Sequence, residues 1–346
     1  MTEAWTDSPF MRAVRREPAE YTPVWLMRQA GRYMAEYRAV RRHVPFLELC
    51  KSPAMCAEVM LTAVERLGVD AAILFSDLLL ILEPMGLGLE FTPGDGPVLH
   101  NPIREPADVD RMRELDDCGE LHYVFEAVRQ TRAGLDERLP LIGFAGAPFT
   151  LAAYAIEGSG SRNYLHVKRL MMTDPGAWNA LLACLARSVA RYLIAQVEAG
   201  VQVVQLFDSW VGCLGVDDYR RFVLPHTRSV IDAVEPHAPV IHFGTGNPAL
   251  LPSLREAGGQ VIGADWRVPL DEAWSAIGHD RAVQGNLDPA VLLATPEEIE
   301  RRVEQILGLA GGQPGHIFNL GHGVLPQTPV ENAAALVAMV HEQSRR

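Results

Sequence analysis

The sequence predicts an α/β protein built as one domain, a decorated (β/α)8 barrel of the TIM type. Three observations carry that expectation. Short apolar runs with β-branched residues alternate with helical segments along the chain, the order that builds a parallel sheet. About eight such runs occur, and they are nearly continuous in hydrophobicity, as strands covered on both faces are. No dinucleotide glycine fingerprint favours a doubly wound sheet, and 346 residues fit a barrel of about 250 residues or more with insertions. The single domain is expected to span 1–346, with residues 1–10 as a loosely ordered tail.

The strand candidates are residues 24–27, 71–75, 141–144, 201–207, 240–243, 261–264, 282–284 and 317–320. Between them stand helix start signals. Ser52-Pro53 opens a helix that Gly68 ends, and Asp174-Pro175 opens a long one that stops at Gly200. Thr295-Pro296 with Glu298, and Thr328-Pro329 with Glu331, each match a capping box. The last helix shows an amphipathic face of Ala333, Leu336, Val337, Met339 and Val340. Residues 87–97, LGLEFTPGDGP, break the alternation and read as a β excursion around a turn.

Composition narrows the function classes. A net charge of -12 and a pI near 5.4 argue against non-specific binding to nucleic acid or anionic membrane. No apolar run reaches the roughly 20 residues of a membrane helix, and the start MTEAWTDSPF has no signal-peptide character. The five cysteines (Cys50, Cys56, Cys118, Cys184, Cys213) form no CxxC pair and read as reduced thiols of a cytoplasmic protein.

Against that acidic background residues 23–42, PVWLMRQAGRYMAEYRAVRR, place five arginines beside one acid, Glu36. Arg28 and Arg32 are four apart, so a helical turn would set both on one face, with Gly31 admitting a close backbone approach. An exposed basic helix is the plain alternative. A local arginine nest on an acidic protein suits a small polyanion better than nucleic acid, which wants a broad basic face.

In such a barrel the chemistry sits where the strands end. Those ends carry Arg28 with Gln29, Ser76-Asp77, Gly146, Asp208-Ser209, Gly244, Asp265, Asn286 with Asp288, and His322. Asp77 lies between ILFS and LLLIL, where a carboxylate is costly unless partnered. Either an arginine of the 23–42 stretch pairs with it, or a ligand does. His322 occupies a glycine-flanked turn, NLGHGV, and Tyr154 precedes a glycine-serine loop. There is no GxxxxGK[ST], HExxH or GxSxG, and His242 lacks the cysteine of a His-x-Cys zinc site. No metal and no organic cofactor is called for.

WLMRQAGRY, LFSD ending at Asp77, GFAGAPFTL from Gly143, LFDSW around Ser209 and NLGHG at His322 together resemble the uroporphyrinogen decarboxylase family over nearly the whole chain. The resemblance implies a homodimeric lyase of haem and porphyrin biosynthesis. Such an enzyme takes the four acetate carboxyls of the tetrapyrrole uroporphyrinogen III as CO2, without metal or cofactor. It also implies catalytic roles for Asp77 and Arg28, and substrate contacts from Arg28, Gln29, Ala30, Gly31, Arg32, Asp77, Tyr154, Ser209 and His322. Arg41 and Phe144 also fall on family positions. Two alternatives are a zinc-dependent corrinoid methyltransferase of the same fold and a tetrapyrrole carrier without chemistry.

Overall fold

Parallel pairing joins the predicted strands in their chain order. The computed structural model describes residues 3–92 and 96–346. Its seven-stranded sheet runs β1 (Ala72–Ile73), β4 (Leu141–Gly146), β5 (Val203–Asp208), β6 (Val240–Gly244), β7 (Val261–Gly263), β8 (Ala282–Gln284) and β9 (His316–Ile317). Every neighbouring pair is parallel. The two remaining strands, β2 (Leu89–Thr92) and β3 (Gly96–Leu99), form the antiparallel excursion expected over 87–97, whose residues 93–95 lie outside the described residues.

The eighth place in the ring belongs to residues 24–27, which form only an isolated parallel bridge, Val24 to Phe318. Backbone hydrogen bonds nonetheless reach both neighbours. Phe318 N donates to Pro23 O at 2.8 Å, and on the other side Asp70 N donates to Val24 O at 2.8 Å. This segment therefore closes the curled sheet between β9 and β1. Its chain then turns sharply at Arg28, whose φ of 63° is left-handed, so no helix follows until Ala35. The expected helical turn carrying Arg28 and Arg32 on one face does not form.

The helices Pro53–Leu67 and Pro175–Ala199 follow the start and stop residues read from the sequence, with Gly68 left-handed at φ 69°. Asp174 caps the second by accepting from Ala177 N at 2.9 Å. On length and composition alone Pro175–Ala199 is apolar enough to cross a membrane, which corrects the expectation that no such run exists. In the fold, Trp178, Leu181, Leu185, Val189 and Leu193 bury one side of it.

Neither predicted capping box forms. Glu298 is drawn instead to Arg301, in a two-pronged pair at 2.7 and 2.8 Å. At the last helix Pro329 occupies the cap position, so Thr328 falls one residue too early and its buried hydroxyl has no partner among the described residues. Residues 3–10 are not the expected loose tail. Ala4–Asp7 makes a 3-10 turn, Ser8 caps the helix Pro9–Val14, and Phe10 is fully buried.

Candidate functional site

At the C-terminal ends of the strands lies a cleft with about 1040 Å3 of empty space, part of it continuous with solvent. Most of its wall is apolar, including Met27, Phe75, Phe91, Phe144, Phe207 and Phe243. Phe144, Phe207 and Phe243 stack edge to face in series, with ring centres 5.6 and 6.0 Å apart. Into this wall the fold inserts a few polar groups: Arg28 from the closing segment, Asp77 after β1, Tyr154 from the helix after β4, Ser209 after β5 and His322 after β9. Residues up to 294 positions apart in sequence thus share one cavity.

Asp77 answers the question its sequence context raised. Its Oδ1 accepts from Leu79 N at 2.9 Å, and no ion pair forms on it among the described residues. Burial pushes its carboxyl up to about 6, opposed by the Leu79 hydrogen bond and by the charge of Arg28. Arg28 is near enough to act on Asp77 electrostatically without pairing with it. Its charge also lowers His322 and opposes the rise of the Tyr154 phenol. His322 is held down at about 4, chiefly by burial and then by Arg28 and Arg267, so it is a neutral imidazole.

Arg28 itself is placed by packing that the sequence only hinted at. A Cβ on Gly323 would come within 2.4 Å of Arg28 Cδ and 2.8 Å of its Cγ. Glycine at 323 is therefore the groove along which the arginine side chain lies. The two loops are also laced by backbone: Val324 N donates to Met27 O at 2.9 Å, and Asn319 Oδ1 accepts from Met27 N at 3.1 Å. The glycine-flanked turn at 321–323 was expected to admit a close approach. The group that approaches at Gly323 is a side chain of this protein.

The other arginines of the stretch separate by role. Arg38 Nη1 donates to the carbonyls of Arg32 and Tyr33 at 2.9 and 2.7 Å, which shapes the loop. Arg41 binds the Val44 carbonyl and stacks over Phe46 at 5.6 Å, behind the cavity wall. Arg32 and Arg42 are exposed, and Gly31, Arg32 and Arg41 do not line the cavity. Gln29 does line it, but its side chain is engaged elsewhere: Oε1 accepts from Leu26 N and Nε2 donates to Ala71 O. Ala30 and Phe144 line it directly.

Several strand-end residues turn out to brace the site. Asp208 is buried and pushed up to about 7 by that burial, with Oδ1 accepting from Thr150 Oγ1 at 2.8 Å. The same hydroxyl accepts from Trp210 N at 3.3 Å, and Trp210 stacks on Tyr154 at 3.7 Å. Asp208 and Thr150 thus fix the backbone on either side of Ser209. Asn286 donates to the carbonyls of Asp265 and Val268, and Asp288 caps a 3-10 turn. His242 is buried in the barrel wall, with Nδ1 near Leu254 O at 3.1 Å, and does not line the cavity.

Comparison with known proteins identifies the family. Residues 6–343 match the family described as uroporphyrinogen decarboxylase (URO-D), and the chain belongs to that family. The uroporphyrinogen decarboxylase of Koribacter versatilis (strain Ellin345) is 56% identical over 98% of this chain and 97% of that protein. That of Sorangium cellulosum (strain So ce56) is 55% identical over 97% and 96% respectively. Among solved structures, a methyltransferase from Methanosarcina mazei superposes with a TM-score of 0.83, covering 99% of both chains at 21% identity. At that identity the likeness is one of fold, and it places the chain among TIM-barrel-like proteins.

Proposed function

We propose that this enzyme is a carboxy-lyase that converts uroporphyrinogen III to coproporphyrinogen III, removing four acetate carboxyls as CO2 and leaving methyl groups. The observation that carries the reading is Asp77: a half-buried carboxylate with no ionic partner among the described residues, in an aromatic cleft beside Arg28. A ring of four pyrrole N–H donors supplies what Asp77 lacks. The near-complete identity of span with the named relatives supports the same substrate.

The chemistry needs an electron sink, and a pyrrole provides its own. A proton adds to the ring carbon beside the acetate-bearing one, giving a cation. The C–CO2 bond then breaks and its electron pair neutralises the ring, leaving an exocyclic methylene. A second proton makes the methyl group as the ring carbon gives its proton back, so one proton is taken up per CO2. Asp77 accepts from the pyrrole N–H groups and stabilises the cation where it develops, in a cavity that weakens competition from water. Arg28 binds the reacting carboxylate, with a charge-assisted hydrogen bond of about 1.5–3 kcal/mol. Tyr154, Ser209 and neutral His322 offer hydroxyl and N–H groups to the remaining carboxylates. Arg32, exposed four residues beyond Arg28, is a further cation for the substrate carboxylates. The enzyme works without metal or organic cofactor, as a homodimer, in the cytoplasm.

The test is anaerobic incubation of chelator-treated protein with uroporphyrinogen III, with products separated after oxidation. Stepwise loss of four carboxyls is expected. Tight binding with no loss would assign the protein as a carrier, and no binding would overturn the reading.

A further inference from the structure

Beyond Ser209 and His322 the cleft mouth opens into a second, shallower hollow. Both residues line the main cavity as well, so the two spaces meet along one ridge. Flat rings of Tyr164, Trp210 and Trp266 wall the hollow, and among the described residues its one guanidinium is that of Arg267. Among the described residues the main cavity also has a single guanidinium in its lining, Arg28. With Arg32 exposed outside both linings, a tetrapyrrole with eight carboxylates calls for a further cation at the cleft itself to leave water.

Arg267 is held in place before any ligand arrives. Its Nη1 lies 2.7 Å from Oδ2 of buried Asp265, and its guanidinium sits 3.9 Å above the Trp266 ring. Asp265 Oδ2 also accepts from Thr245 Oγ1 at 2.9 Å and from Gly246 N at 2.6 Å. Nε and Nη2 of Arg267 donate to nothing among the described residues. A guanidinium fixed along one edge and stacked on its face keeps its remaining donors oriented, which lowers the entropy cost of a forked bond to carboxylate. Its charge, like that of Arg28, lowers the proton affinity of the His322 imidazole, against the opposing pull of Asp265.

We propose that Arg267, with the rings around it, is a second carboxylate subsite that grips the rim of the tetrapyrrole whose reacting acetate lies against Arg28. The inference rests on the decarboxylase reading and adds to it a residue that sets affinity for the polyanion. Arg267 touches a carboxylate that does not react, so its contribution is to binding in ground and transition state alike.

The test compares wild type with Arg267→Gln and Arg267→Lys in anaerobic steady-state assays on uroporphyrinogen III. Arg267→Gln should raise KM about tenfold with kcat within about twofold, and Arg267→Lys should recover part of the loss. Added salt should raise the wild-type KM more steeply than that of Arg267→Gln. An unchanged KM and salt response would overturn the subsite. So would a lowered kcat and melting temperature at constant KM, which would give Arg267 a structural role. Fluorescence titration with uroporphyrin, the oxidised ring, makes the same comparison without turnover. Failure of wild type to release CO2 sinks the decarboxylase reading, whereas equal Kd for wild type and Arg267→Gln sinks the subsite alone.

Discussion

Strand β1 has an aspartate at each end, and the two sit in opposite surroundings. Asp70, on the N-terminal side, is fully engaged. Its Oδ1 accepts from Tyr21 OH at 2.9 Å, while Oδ2 accepts from Val24 N at 2.7 Å and lies 2.7 Å from His341 Nε2. Those partners come from the closing segment and the last helix, so Asp70 locks the seam of the barrel. Asp77, on the C-terminal side, has one backbone donor among the described residues and an apolar wall. Both ends of the strand carry the same functional group. A saturated carboxylate holds structure, and one left short of donors at a cavity is available to a ligand.

The sharpest way to break this contrast is to remove each charge by the near-isosteric amide. Asp77→Asn should lower kcat by about 100-fold or more while leaving the melting temperature unchanged or raised, because the buried charge opposes folding. Asp70→Asn should do the reverse, costing about 3 kcal/mol of stability with kcat preserved below the melting transition. Thermal unfolding and steady-state assays on the pair decide it, and a stability loss in Asp77→Asn with normal turnover would end the distinction.

Arg28 sharpens the contrast from the other side of the cavity. Arg28→Ala should lose most turnover. Gly323→Ala should lower kcat/KM about 100-fold with the fold intact, since the added methyl displaces Arg28 from its groove by an ångström or more. Wild-type kinetics in Gly323→Ala would show that Arg28 needs no groove.

A pH profile gives a smaller effect with a definite sign. The Asp77 carboxyl is raised to about 6, so the folded state holds its proton where the unfolded chain has released it. Ionising it costs stability as pH rises through 6, and Asp208, raised to about 7, adds in the same direction. Activity should run the opposite way, falling as pH drops below about 6, because the developing cation needs the carboxylate. His322, at about 4, stays neutral through that window, so His322→Asn should keep the acid limb and the residual activity of Asp77→Asn should lack it. The smallest effect belongs to Arg42→Ala: exposed and outside the cavity, it should change kcat/KM by no more than about twofold.

The strands were legible because their signal is local and repeated. A run buried on both faces must be apolar throughout, and the predicted runs 141–144, 240–243 and 282–284 coincide with β4, β6 and β8 within two residues. The capping boxes failed for the converse reason. Glu298 has a stronger partner, Arg301, one turn along, and a three-residue pattern cannot weigh a cap against an ion pair. At Arg28 and Arg32 a turn replaces the expected helix: Gln29 N donates to Leu26 O at 2.8 Å, and Met27 beside it is tied through both its N–H and its carbonyl to Asn319 and Val324, about 290 positions away, which spacing alone does not show.

By itself the sequence determined the barrel, the ring of residues at its strand ends and the family to which the chain belongs. These depend on burial pattern, chain order and residue identity, each readable one segment at a time. Tertiary structure alone decided which charges are neutralised. It paired Asp70 and, among the described residues, left Asp77 without an ionic partner, bound Arg38 and Arg41 to carbonyls while Arg28 was laid along Gly323, and stacked Arg267 on Trp266. A charge is satisfied or not by groups within about 3 Å, and the fold brings those groups together from distant parts of the chain.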